Sequence, residues 1–303
     1  MAASIHPRSL GGVDSFWTLF PPRLMNLRSA AALGLASISL VACSEPSIPT
    51  APIAPSAPSE IVNGTYAGTS FASVGALLFD YDGNGVIDGN DEFCTGSLIS
   101  PSVFLTAAHC VVSPDTPPGS QWYVSFAPDL YAKGIKVIKA EAYYSDPQYG
   151  HDQANLHDLA VIILPANSTK GLTPYSLPKR GELDQLSAKG ALTDALFYNV
   201  GYGTSASRIG VPDFGYDGRK YVSESEFMGL QQYWLGLLMN SSATGLGGDC
   251  YGDSGGPKFL ESKPGIVYAT VTTGDYNCRA TTWDYRTDTD DARAFLGRFV
   301  TLP

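Results

Sequence analysis

The chain has 303 residues, 44% of them hydrophobic, with 32 Gly and 21 Pro, a globular composition that favours short strands between many turns. Its net charge is −10 and no Lys/Arg-rich run occurs, which speaks against a nucleic-acid partner and leaves the acidic surface as an aid to solubility. Five Cys is an odd number, implying two bridges and one Cys with another task.

Residues 1–24, MAASIHPRSLGGVDSFWTLFPPRL, have no signal-like pattern and would bury the next segment in mid-chain, so they read as a misassigned start with Met25 as the true one. Residues 25–43, MNLRSAAALGLASISLVAC, carry a positive charge at Arg28 and an apolar run from Ala30 to Val41 of signal-peptide length. Ser and Gly interrupt that run too often for a comfortable membrane span. It ends in Leu40-Val41-Ala42-Cys43, which resembles the lipobox of bacterial lipoproteins. The resemblance implies cleavage before Cys43 and a lipid on its sulfur, the chain's sole link to a membrane. The alternative is an ordinary signal peptide followed by a chance Cys. Residues 44–60 are Pro/Ala/Ser-rich and read as a tether or propeptide. As polyproline II at about 3.1 Å per residue, they reach roughly 50 Å.

From residue 61 onward, apolar runs recur between turn signals at 75–79, 103–107, 121–126, 135–143, 159–164, 196–202 and 265–273, predicting an all-β barrel or sandwich. The segment DYDGNGVIDGND places Asp80, Asp82, Asn84, Val86, Asp88 and Asp91 in the register of an EF-hand calcium loop, with Gly85 at its sharp turn. Its last ligand is Asp, not the longer Glu, and strands rather than helices flank it. Structural Ca2+ is the one cofactor expected, the alternative being an acidic turn that binds nothing. Three further segments carry chemistry: CTGSLISPSVFLTAAHC (Cys94 to Cys110), HDLAVIIL (His157 to Leu164) and GDCYGDSGGP (residues 248–257). A Ser hydroxyl becomes a nucleophile only when a base takes its proton, and His109 and Ser254 supply that pair of residue types. His6, His151 and His157 receive no role. The tail TDTDDARAFLGRFV predicts a packing helix capped by Thr289, with Ala292, Phe295, Leu296 and Phe299 on one face.

Those three segments, in the order His, Asp, Ser, resemble the chymotrypsin/trypsin family of serine proteases from Ile61 to the C-terminus. The resemblance implies two six-stranded β-barrels with the site between them and a C-terminal helix. It implies an endopeptidase acting on proteins or peptides through an acyl-enzyme, with His109 as base, Asp158 as its orienting partner and Ser254 as nucleophile. The N–H groups of Gly252 and Ser254 form the implied oxyanion hole. Cys94–Cys110 and Cys250–Cys278 are the implied bridges, which fit an exported chain, lipid-anchored to a bacterial envelope or released. Gly201-Tyr202-Gly203-Thr204 resembles the glycine turn near the start of the family's second barrel.

Ile61-Val62-Asn63-Gly64 resembles the family's new N-terminus after zymogen cleavage, whose amino group pairs with the Asp before the nucleophile, here Asp253. Glu60 departs from the family's Arg or Lys at that cut, and no Cys in residues 44–60 can retain the severed tether. Activation and release from the membrane are therefore expected together. In the pocket, Gly248 stands where trypsins have Asp, and Asp249 either offers its charge to a substrate Lys or Arg or turns away. Lys/Arg is the favoured reading, with apolar or small residues as the alternative. Thr272, Thr273 and Gly274 form one wall, and Trp283 on the other is a candidate to fill part of the pocket. The chain is expected to be a monomer with no cofactor in catalysis. The alternative is a catalytically silent lipoprotein of the same fold, a calcium-stiffened binding protein.

Overall fold

The structure, a computed structural model, describes residues 61–114, 116, 119–205 and 215–303. The expected leader, lipidated Cys43 and tether lie outside the described residues. Frequent Gly, Pro and Asx turns keep the elements short. In order they are β1 (Thr65–Tyr66), β2 (Val74–Leu78), a 3-10 turn (Gly89–Asp91), β3 (Glu92–Ser100), β4 (Val103–Thr106), α1 (Ala108–Val111), β5 (Tyr123–Ser125), β6 (Val137–Lys139) and β7 (Ala142–Ser145). There follow β8 (Ala160–Ile163), α2 (Glu182–Ala188), β9 (Leu196–Gly201), β10 (Tyr221–Leu230), β11 (Trp234–Leu238), α3 (Ser241–Thr244), β12 (Pro257–Leu260), β13 (Val267–Gly274), β14 (Thr281–Arg286) and α4 (Asp290–Leu296). None of the described helices is long and apolar enough to cross a membrane.

The strands form two antiparallel, barrel-like sheets. The first has the order β6-β5-β2-β3-β4-β8-β7. The sequence predicts one strand over 135–143, and the structure bends that run in two. Ile138 pairs with Val124 on one edge of the sheet, and Tyr144 pairs with Val161 on the other. At the bend, Ala140 donates its N–H to Trp122 O at 2.9 Å and Glu141 donates to Ile163 O at 2.8 Å. One stretch of chain thus joins both edges and closes the sheet, so the six expected strands become seven segments. The interior is apolar, with Leu77, Phe104, Trp122, Val124 and Ile162 buried and Phe79 edge-on to Trp122.

The second sheet closes as a ring, because β10 pairs with both β9 and β11 around the order β10-β11-β14-β13-β12-β9. These six strands match the expectation, and two-residue β1 adds outside β10. Its core combines Phe197, Leu235, Leu237 and Leu260 with the buried polar residues Asn199, Lys258, Asp284 and Arg286. Val74, Leu105 and Val161 of the first barrel meet Val200, Phe259 and Tyr285 of the second in a shared cluster. Phe295 and Leu296 of α4 complete it. Thr289 caps α4 by accepting the Ala292 N–H, and Asp290 and Asp291 face the positive helix end. The helix stops before Phe299, yet Phe299 still packs on Phe295 with centroids 5.3 Å apart.

Candidate active site

His109 sits on α1, a single turn entered directly from β4 and tied to β3 by the Cys94–Cys110 disulfide. Asp158 leads into β8, the antiparallel neighbour of β4, after His157 turns the chain at a φ of 55°. Asp158 is fully buried, and both its oxygens are committed to one residue. Oδ1 accepts the His109 backbone N–H at 2.8 Å, and Oδ2 lies 2.8 Å from His109 Nδ1. This bond holds the proton on Nδ1 and leaves Nε2 able to accept another. Burial opposes the charged ring, but the Asp158 charge and hydrogen bond outweigh it and raise the His109 pKa above the usual histidine value. His157 instead lies 3.4 Å from Asp146 and lines no part of the cleft.

Ser254 lines the same cleft as His109, a cavity of about 480 Å³. It stands on a tight turn. Gly252 and Gly255 on either side have φ of 93° and 77°, and a Cβ at 255 would strike the backbone of Ala107 and Thr95. Ser254 O accepts from Thr95 N at 2.9 Å, and Thr95 Oγ1 donates to Gly252 O at 3.0 Å, so the first barrel holds the turn of the second. The N–H groups of Gly255 and Gly256 are taken by Val271 O and Asp253 O. Those of Gly252 and Ser254 make no hydrogen bond to another described residue.

Behind the turn, Asp253 is buried and accepts from Gly203 N at 2.9 Å and Cys250 N at 2.8 Å. Gly201 and Gly203 leave the room for it, since a Cβ on either would run into its carboxylate. Asp253 has no salt-bridge partner among the described residues. Burial, aided by the Asp249 charge, pushes its pKa up to about 7 against the two N–H bonds and the Lys258 charge. Ile61 is fully buried. Gly248 N donates to Val62 O at 3.0 Å and Asn63 Nδ2 to Gly245 O at 2.8 Å, binding 61–64 along 245–248.

The cleft continues into a pocket between two walls joined by the Cys250–Cys278 disulfide. Thr272, Thr273, Gly274 and Asp249 lie in the lining. Of the two readings left open for Asp249, the structure shows the hydrogen-bonded one: its Oδ1 is bonded to the ammonium of Lys258 and its Oδ2 lies 3.0 Å from Thr282 Oγ1. Trp283 does not line the pocket; its ring packs on Gly236, whose missing Cβ makes the space. Met239 takes that place instead, lying against Gly248 where any Cβ would overlap the thioether. Neither Met239 nor Lys258 belongs to a recognisable motif.

The loop at 80–91 projects between β2 and β3. Carboxylate oxygens of Asp80, Asp82 and Asp91 lie within 4.8 Å of one another. Asp80 also accepts from Gly85 N at 3.1 Å and Asp91 from Tyr81 N at 2.9 Å. Asn84 is turned onto Asp82 and the Val86 N–H, Val86 is exposed, and Asp88 caps the 3-10 turn. The structure therefore brings together three of the six anticipated ligands.

The sequence profile of the family described as Trypsin matches residues 78–295, more than two thirds of the chain. The chain is 29% identical over 216 residues to a collagenase of Hypoderma lineatum, covering 67% of this chain and 73% of that protein. It is 27% identical over 193 residues to a trypsin of Phaedon cochleariae, covering 62% and 70%. Its fold is similar to that of human heparin binding protein, at a TM-score of 0.55 and 18% identity over 79% of this chain and 96% of that one. It is also similar to the structure titled HL collagenase, at 0.57 and 19% over 78% and 99%.

Proposed function

The chain belongs to the trypsin family, and from that premise we propose that it is an exported serine endopeptidase using His109, Asp158 and Ser254. The observation that carries the reading is the His109 ring, fixed through Nδ1 to a buried carboxylate in the cleft that Ser254 also lines. His109 Nε2 takes the Ser254 proton as Oγ attacks the scissile carbonyl. The carbonyl oxygen becomes an anion and receives the N–H groups of Gly252 and Ser254, which have no other described acceptor. The imidazolium, stabilised by Asp158, returns the proton to the leaving amine. Water then enters the same route and hydrolyses the acyl-enzyme.

Asp253 supports the activation step. A carboxylate buried without a counter-charge stays near neutrality, and cutting Glu60–Ile61 creates an ammonium on a residue already held beside the 245–248 segment. The cut also separates the domain from Cys43 and any lipid there. The loop at 80–91 is proposed to take Ca2+ through Asp80, Asp82 and Asp91. Cleavage of a mixed peptide library by the processed chain, with Ser254→Ala as control, tests the reading. Cleavage that vanishes in the control is expected. A folded, processed protein that cuts nothing points to the silent binding protein instead.

A further inference from the structure

The floor of the substrate pocket is built from charges that cancel inside the protein. Lys258 is fully buried on β12, and its ammonium contacts the Asp249 carboxylate and Asn199 Oδ1 at 2.5 Å, with Asp284 Oδ2 at 3.6 Å. The Asn199 amide is fixed in that sense because its NH2 donates to Ser223 and Ser225 at 3.1 and 2.8 Å. Thr282 Oγ1 lies 3.0 Å from both Asp249 Oδ2 and Asp284 Oδ1, bridging the two carboxyls. Burial drives the Asp284 pKa well above the ordinary carboxylate range, against the pull of the Lys258 charge. The cluster sets one ammonium against two carboxyl groups. At the cleft, Asp249 and Met239 both line the wall, and the Met239 thioether lies in the space that a side chain at Gly248 would need.

A substrate Lys or Arg entering this pocket would meet an apolar thioether and a carboxylate already paired with the Lys258 ammonium. The fixed Lys258 charge behind that carboxylate repels a second cation, and desolvating the guest charge brings no compensating partner. A neutral apolar side chain loses nothing there and gains contact with Met239, whose flexible, polarisable chain adapts to different shapes.

Resting on the serine-protease reading of the cleft, we propose that Lys258 determines specificity by acting through Asp249. It occupies from within the carboxylate that would otherwise receive a basic substrate, so the enzyme cuts after neutral apolar residues such as Leu and Met and rejects Lys and Arg. Removing Lys258 exposes the Asp249 charge to the pocket and admits basic residues.

The test uses the full chain with an enteropeptidase recognition sequence in place of residues 56–60, cut to leave Ile61 as the terminus. A fluorophosphonate that labels the nucleophile regardless of substrate counts the working sites. Peptide nitroanilides differing only in Leu, Met, Lys or Arg before the cut are then compared per labelled site. The wild type is expected to favour Leu and Met over Lys and Arg by ~100-fold or more. Lys258→Met is expected to raise the Arg-to-Leu ratio by at least ~10-fold. Should that variant fail to fold, Lys258→Met/Asp284→Asn removes one of the stranded carboxyls and reads the same gain. Lys258→Met/Asp249→Ser must show no gain, which separates the charge from mere repacking. A labelled wild type that cuts readily after Lys or Arg overturns the proposal. So does an unmoved ratio in a labelled, folded Lys258→Met or Lys258→Met/Asp284→Asn protein. A folded, processed wild type that takes no label overturns the serine-protease reading and this proposal with it.

Discussion

The two barrels share a strand pattern but differ inside. The first is filled by Leu77, Phe79, Phe104, Trp122 and Ile162, and at its margin buried Asp158 holds the His109 ring. The second encloses two ionic clusters. One joins Lys258 to Asp249 and Asp284, and the other joins buried Arg286 to Asp184 at 2.7 Å and to Asp288 at 2.9 Å. An apolar interior yields stability without directional demands, whereas buried ions require fixed partners and are lost all at once when one is removed. The first barrel therefore serves as a stiff mount for the base. The second makes its core continuous with the substrate pocket, so a change in that core is a change in recognition.

The largest effect expected separates the two carboxylates that flank the cleft. Asp158→Asn should lower kcat by ~10⁴. It should also move the acid limb of kcat/KM to lower pH. With Asp158 present, the raised His109 pKa keeps the ring protonated, and thus inactive as a base, to a higher pH than an ordinary histidine would be. A pH–rate profile that does not move shows that Asp158 does not set the basicity of His109.

The next contrast lies in the cores. Phe104→Ala should cost about 3–5 kcal/mol with little dependence on pH, since it removes only apolar contact. Lys258→Met should cost a similar ~3–5 kcal/mol at neutral pH, but the loss should shrink as pH falls and protons neutralise the stranded carboxylates. Denaturant titrations at pH 5 and pH 8 distinguish them; parallel shifts in both variants would erase the difference between the barrels.

A third effect concerns Asp253. Its folded pKa of about 7 lies above the ordinary Asp value of 3.8, so the folded uncut chain binds more protons than the unfolded one across that interval. Stability must then fall as pH rises from about 4 to about 7 and level off above, by on the order of 4 kcal/mol. In the processed chain, the Ile61 ammonium should reduce that fall. Unfolding midpoints of uncut and processed Ser254→Ala protein measure it, and identical slopes would remove Ile61 as the partner. The smallest effect expected is from calcium on the first barrel. At about tenfold excess over its Kd, Ca2+ should add roughly 1.4 kcal/mol, and Asp82→Asn should weaken the gain.

The residues that meet at the cleft were legible because each lies in a short, distinctive segment: TAAHC, HDLAV and GDSGGP. The ionic floor was not. Lys258 sits in the four-residue strand PKFL, where a Lys reads as surface, and its partner Asp284 belongs to a distant strand. Strand β10 was equally hidden. In YVSESEFMGL the inward positions are Tyr221, Ser223 and Ser225, so its alternation has polar residues on the buried side and carries no apolar signal. The Ser side chains face inward to meet Asn199, a requirement set by Lys258 and invisible to a hydrophobicity pattern. Pocket filling failed for a similar reason. Trp283 is the obvious large residue, but the absence of a side chain at Gly236 decides where its ring goes.

The bent run from Val137 to Ser145 bears on the company the molecule keeps with its own kind. A sheet with open borders offers rows of bare amide and carbonyl groups on which a neighbouring chain can build, the first step toward aggregates. By serving both borders, this run leaves only three residues of β6 and four of β7 as terminal segments, with exposed Lys139 set into the former. Short edges with a charged side chain make poor templates. The kink that closes the barrel thus also acts against strand-by-strand association where many copies crowd together.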